Sequence, residues 1–166
     1  MQMKSRDIAT EYIAKCGEII KHDTIEALSY LGEECVKRVR DRSPKDSWND
    51  QTGNLRSSIG YMVLYNGQPV QRGGFIPTPN APKGDGSKGR SDGEKFLQET
   101  VVEVARDNSF ALVIVAGMNY ADKVEALENK DVLASTQLWA DNQWPTIEKN
   151  LQRKIENDIN KIQLIM

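Results

Sequence analysis

Apolar residues in the first part of the chain recur at steps of three and four. Ile8, Tyr12, Cys16, Ile19 and Ile20 open the series, and Ala27, Leu28, Leu31, Cys35, Val36 and Val39 continue it. That spacing returns side chains to one face of an α-helix. Glu11, Lys15, Glu18, Lys21, Glu33, Lys37 and Arg40 occupy the other face. Ser5 or Asp7 supplies an N-cap. The polar interval Lys21-His22-Asp23-Thr24 is where such a helix would bend or break. Ser43-Pro44 ends it, because the residue before a proline avoids helical backbone. The pattern predicts one long helix, or two collinear ones, over residues 5–42. Its apolar stripe needs a sheet or a second helix to cover it.

Residues 43–57 are polar and read as a loop, with Thr52-Gly53-Asn54 as its tightest turn and Leu55-Arg56-Ser57 as a short helical turn capped by Thr52 or Asn54. The period then changes to two. Ile59, Tyr61, Val63 and Tyr65 alternate with Ser58, Gly60, Met62 and Leu64, which is a strand signal. Asn66-Gly67 is a hairpin turn, and residues 70–76 form a return strand weakened by Gly73-Gly74. Residues 77–93 carry Pro77, Pro79, Pro82 and Gly84, Gly86, Gly89, Gly93, with Ala81 as the one apolar side chain. Such a segment cannot offset its ordering entropy from its own contacts, so it reads as a flexible loop. Phe96, Val101, Val102 and Val104 predict a strand to about residue 106. The run Phe-Ala-Leu-Val-Ile-Val-Ala-Gly at 110–117 predicts a central strand paired with it as a hairpin.

Asn119 caps a short predicted helix over 119–128, with Tyr120, Val124 and Leu127 on one side. Ile147, Leu151, Ile155, Ile159 and Ile162 define a C-terminal helix over 144–163, with Pro145 in its first turn. The alternative is a proline-kinked helix from near Ser135 that includes Leu138 and Trp139. Together these elements predict a single α+β domain over 1–166. A long N-terminal helix and a C-terminal helix pack on a small antiparallel sheet that carries a long hairpin loop over 77–93, with strands spanning 58–117.

Composition narrows the chemistry. The chain has 166 residues, which suits one domain. Its 22 basic and 24 acidic side chains leave a net charge of −2. A general nucleic-acid binder would carry a basic excess. No stretch approaches the roughly 18 apolar residues of a membrane span, and no apolar signal-peptide core follows Met1. Cys16 and Cys35 lie about 28 Å apart along one straight helix, beyond disulfide reach, and read as buried thiols.

Catalytic arrangements are hard to assemble from this sequence. His22 is the single histidine, and a neighbour at i+1, Asp23, does not face it on a helix. Cys16 is too far along the axis to pair with it. Three Cys and His residues in this spacing fit no common zinc pattern. The run Lys-Gly-Asp-Gly-Ser-Lys-Gly-Arg at 83–90 lacks the phosphate-loop order. Glu99 with Glu103, and Glu125 with Glu128, have no supporting partner. The sequence therefore nominates no catalytic residue, metal ligand or cofactor site. Trp48, in a polar loop, either anchors a partner contact or folds back on its own domain, whereas Trp139 and Trp144 read as cover for a core edge.

Two segments carry a recognisable pattern: Gln51-Thr52-Gly53-Asn54-Leu55-Arg56-Ser57-Ser58-Ile59, and Gly117-Met118-Asn119-Tyr120-Ala121-Asp122-Lys123-Val124-Glu125. In order and separation they resemble the tail-completion, or head–tail joining, proteins of tailed bacteriophages and prophages. The pattern departs after Glu125, where Ala126-Leu127-Glu128-Asn129 stands in place of Gly-Thr. The resemblance implies a non-enzymatic structural protein of the virion neck or tail, assembled in the host cytoplasm. It would bind copies of itself, often as a hexameric ring, together with portal, adaptor and tail-tube proteins. The motif residues Thr52, Gly53, Asn54, Leu55, Arg56, Ser58, Ile59, Tyr120, Ala121, Val124 and Glu125 would be architectural, with no cofactor. Gly53 would hold a tight turn, Leu55 and Ile59 would seat the strand start, and Arg56 would fork onto a carboxylate. In a ring, Lys83, Lys88 and Arg90 are candidates for weak contact with packaged DNA. Two other readings remain: a non-catalytic binding module of a bacterial host or toxin system, and a small hydrolase built on acids.

Overall fold

The computed structural model of the chain describes residues 5–42, 49–104, 109–118, 121 and 132–163. The first helix, α1, runs unbroken from Ser5 to Arg40. Its 36 residues make a rod of about 54 Å, more than twice the length of a seven-residue strand at roughly 23 Å. One sheet cannot cover such a rod. Burial is accordingly confined to the C-terminal half, where Leu28, Leu31, Cys35, Val36 and Val39 are buried. Ile8, Ile13 and Ile20 stay exposed.

A short turn of helix, α2 (Asn54–Ser57), leads into β1 (Ile59–Tyr65), and β2 follows over Gln68–Gly74. The hairpin between them turns on Asn66 and Gly67, both with positive φ, as a two-residue turn of this kind requires. The third strand, β3 (Phe110–Ala116), pairs antiparallel with β1, so the sheet order is β2-β1-β3. The central strand is therefore β1, not the apolar run at 110–117. Helices lie against both faces of β1 and β3, so either of these strands can be apolar at odd and even positions alike. Continuity of the apolar run thus reports two-sided cover, not central place. On one face Ile59, Tyr61 and Val63 meet α1; on the other, Met62 and Leu64 join Phe75, Leu97 and Val101.

The strand predicted from residue 94 to 106 is instead part of a helix, α3 (Ser87–Val104), and the end of the predicted flexible loop 77–93 forms its first turns. Its buried face is Gly89, Gly93, Leu97 and Val101, a stripe at steps of four. The glycines that read as loop punctuation are close-packing positions. A Cβ on Gly93 would lie 2.5 Å from the Ser58 carbonyl oxygen, and one on Gly89 would overlap the Asn54 main chain. Asp85 starts the helix by accepting the Ser87 N–H at 2.9 Å. The Asn54 side-chain carbonyl accepts the Gly89 N–H at 3.1 Å. The preceding residues are tied down too: Lys83 N–H bonds Gln51 O, and Gly86 N–H bonds Thr52 O. The order of this segment comes from its own chain.

The last helix, α4, covers Ala134–Gln163 with Pro145 inside it, ten residues longer at its start than the 144–163 reading. The longer alternative is the one observed. It runs antiparallel beside α1: Arg42 reaches Ser135 and Thr136 at one end, and Lys154 reaches Asp23 farther along. The short helix predicted over 119–128 lies outside the described residues except for Ala121, which is buried in the main core cluster.

Phe75 has φ 53, uncommon for a large side chain. Its ring fills a slot that Gly60 and Gly93 leave open, and it is buried there. This packing predicts opposite outcomes for two glycine-to-alanine changes in helices. Gly93→Ala should lose about 1–3 kcal/mol through overpacking. Gly17→Ala, with nothing within 4 Å of the new Cβ, should gain roughly 0.5–1 kcal/mol. Chemical denaturation of the two variants checks both. A Gly93→Ala protein as stable as its parent would contradict the docking of α3 on Ser58.

Candidate functional site

The motif at 52–59 is the junction of four elements. Gly53 holds φ 73, and a Cβ there would meet the Thr78 carbonyl oxygen at 2.8 Å, so the turn takes glycine on two grounds. Leu55 and Ile59 are fully buried beneath α1. Ser58 Oγ donates to the Leu55 carbonyl at 2.8 Å, and Ser57 Oγ meets Thr78 Oγ1 at 3.1 Å. The Asn54 N–H lies 3.4 Å from Thr52 Oγ1. The stronger cap of the short α2 turn is Asp50, whose Oδ2 accepts the Arg56 N–H at 2.7 Å. Asn54, expected as a cap for this turn, serves α3 instead.

Arg56 reaches across to the end of α1. Its guanidinium donates to the Arg40 carbonyl and, at 3.0 Å, to the Arg42 carbonyl. Arg40 answers in kind, donating to the Arg56 carbonyl and, at 2.7 Å, to the Ile76 carbonyl. The last carbonyls of a helix lack intrahelical donors and sit at the negative pole of its dipole, so a guanidinium placed there meets both needs. Burial, followed by the nearby Arg56 charge, pulls the Arg40 guanidinium below its usual value, while Asp41 and Asp50 oppose that shift. The two guanidinium groups thus tie α1, the α2 turn and the segment after β2 together.

The other sequence candidates are scattered. Lys88 pairs with Asp92 at 2.5 Å and Arg90 with Glu94 at 3.3 Å along α3, so two of the three charges nominated for DNA already have acids beside them. Lys83 is exposed on the loop before α3. Trp48, Tyr120, Val124 and Glu125 lie outside the described residues. Trp139 stacks against Arg38, whose guanidinium carbon is 5.1 Å from its ring, and Trp144 packs on the core.

Sequence reasoning missed a polar cluster between α1 and α4. His22 Nδ1 lies 3.1 Å from Asp23 Oδ1, despite the i+1 spacing. Asp23 is buried at 3% exposure, and its Oδ2 has no hydrogen-bond partner. Among the described residues, His22, Asp23 and Glu26 place ligand atoms within 4.8 Å of one another, close enough to share a cation. The chain supplies that cation itself. Lys154 Nζ bonds Asp23 Oδ1 and lies 3.5 Å from Glu26 Oε2. Asp23, assisted by Asp158 and Glu26, holds the Lys154 ammonium well above its usual range, while desolvation acts the other way. A crevice of about 250 Å³ beside it is walled by Ala27, Tyr30, Ile147, Asn150 and Leu151. The signal available in sequence was the polar interruption of the α1 stripe at 21–24, which marks an interhelical ion pair and not a break.

Two further titratable groups are sealed. Burial pushes the Cys35 thiol up to about 11. Burial, then the hydrogen bond from its hydroxyl to Glu33 at 3.0 Å, pushes Tyr61 up to about 12. Both are shifted away from reactivity at neutral pH.

Among the described residues these features define an α+β scaffold, with the long helices α1 and α4 and the shorter α3 around a three-stranded antiparallel sheet and the polar motif at a structural junction. No family model, curated protein or solved structure matches the chain.

The interhelical pair makes a prediction. Lys154→Ala strands the buried Asp23 carboxylate and should lower the melting temperature clearly more than Lys161→Ala, which removes an exposed partner of Asp158. Joining Lys154→Met to Asp23→Leu should recover most of the loss, because no buried charge remains. Thermal unfolding of the three variants decides it; equal effects of the two single changes would show that the Asp23 contact adds nothing.

Proposed function

We propose that this chain is a structural subunit of the neck or tail of a tailed phage or prophage. It works by binding copies of itself in a ring and by binding the adjoining portal, adaptor and tail-tube proteins. The observation that carries the reading is how the motif residues 52–59 are used. Leu55 and Ile59 are core, Gly53 is a turn, and the groups of Asn54, Arg56 and Ser58 bond to main-chain atoms of this same chain. A motif spent in this way sets an architecture and performs no reaction. The order of elements supports the same reading: a long helix, the motif at the mouth of the first strand, a hairpin, and a long closing helix.

The protruding ends of the helices support a binding role. Ile13 is 69% exposed, and Ile8, Ile20 and Tyr30 are exposed on the same rod. These side chains are available for contact with other proteins. Lys88 and Arg90 each pair with an acid one turn along α3, and the proposal includes no contact with DNA.

The test is co-assembly. Mixed with portal–adaptor complex and tail-tube protein, the chain should co-sediment with one of them and form closed rings visible by electron microscopy. If it binds neither, and particles assembled without it keep their DNA and tails, the reading is wrong.

A further inference from the structure

The two edges of the sheet are built differently. Gly117 N–H bonds the Ser58 carbonyl, and Asn66 N–H bonds the Ser109 carbonyl. With the continuous register between β1 and β3, these bonds set the parity of the ladder. Even-numbered residues of β1 bond β3, and odd-numbered ones bond β2. On the β2 edge the outward-facing positions are therefore Pro69, Arg72 and Gly74. Pro69 has no N–H to offer there, a register shift leaves Val70 unpaired in the ladder, and Arg72 adds charge. These are the usual devices that stop an edge from pairing with another strand.

The β3 edge has none of them. Its sequence is Phe-Ala-Leu-Val-Ile-Val-Ala, with no proline, charge or register shift. Phe110, Leu112, Ile114 and Ala116 turn their main-chain groups outward, and no described strand pairs with them. Residues 110–114 are part-exposed, whereas Val115 and Ala116 are buried. Both apolar layers run out at this edge: Phe110, Leu112 and Ile114 on the α1 side, Ala111 and Val113 on the α3 side.

We propose that the outer edge of β3 pairs antiparallel with β3 of a second copy of this chain, across a two-fold axis at Leu112. The strand is complementary to itself there. The accessible stretch 110–114 is centred on Leu112, which is one of the outward-bonding residues. The axis puts Leu112 opposite Leu112 of the second copy, and Phe110 opposite Ile114 at both ends. All are hydrogen-bonded positions, and no charge or proline falls opposite another. Aromatic against β-branched is a favourable cross-strand pair. The product is one continuous six-stranded sheet with both apolar layers extended. A two-fold contact uses one patch twice, so it does not rest on the ring reading and leaves the helical ends free for other contacts.

The test is residue-resolved amide hydrogen exchange of the full chain, read beside its mass by light scattering over a wide concentration range. The mass should rise to that of a dimer. The Leu112 and Ile114 amides should gain protection with the same concentration midpoint, while the Val113 amide, bonded to β1, stays protected throughout. Leu112→Pro, which removes an outward N–H, should remain monomeric with Val113 still protected. A chain that stays monomeric at every concentration overturns the proposal. So does a dimer in which Leu112 and Ile114 exchange freely, or a monomer in which they are already protected. The exchange measurement on the unaltered chain decides the matter even if the proline variant does not fold.

Discussion

The fold depends on how the end of a long helix is held. An α-helix stops with its last carbonyls unpaired and its dipole exposed. Here two arginines from different elements exchange bonds across that end: Arg56 to the carbonyls of Arg40 and Arg42, Arg40 to the carbonyls of Arg56 and Ile76. The contact sets where the α2 turn sits relative to α1, and so where β1 begins. Since β1 is the central strand, the position of the whole sheet under α1 follows from it. Two guanidinium groups in so small a space repel each other. The carbonyl acceptors and the nearby acids Asp41 and Asp50 make the arrangement tolerable.

From that junction, close backbone approach builds the opposite layer. Gly89 and Gly93 let α3 sit directly on Asn54 and Ser58, nearer than any side chain permits. The Phe75 ring then closes the gap beside Gly60 and Gly93. The motif therefore organises both faces of the sheet: Arg56 anchors the α1 side, and Asn54 with Ser58 receives α3. The far half of α1 lies beyond the reach of this organisation. There α4 runs beside it, held by Lys154 on the buried Asp23.

What was legible in the sequence follows from which signals are local. The helix over 5–42, the strand from Ile59 and the Asn66-Gly67 turn are written in period and turn chemistry, and each is present. The α+β class with two long helices on a small antiparallel sheet was legible for the same reason. α3 was not legible, because half of its contact face is glycine. A glycine at a close-packing position looks the same as a glycine in a loop until the surface beneath it is known. The central place of β1 was hidden because helices on both faces make an edge strand as apolar as a central one. At the candidate site, the architectural roles of Gly53, Leu55 and Ile59 could be foreseen from residue type. The acceptors of Arg56 and Asn54 could not, since they lie on other elements far along the chain. The second motif, apart from Ala121, falls outside the described residues and adds nothing to this comparison.

The central claim is that Arg56 acts through its fork and not merely through its charge. Equilibrium unfolding of Arg56→Lys beside Arg56→Ala measures that difference most directly. A lysine keeps the charge but cannot bond two carbonyls in the fixed geometry of a guanidinium. The account predicts that Arg56→Lys loses most of what Arg56→Ala loses, a deficit on the order of 1.5–3 kcal/mol for bonds made by a charged donor. An Arg56→Lys protein as stable as its parent would contradict it.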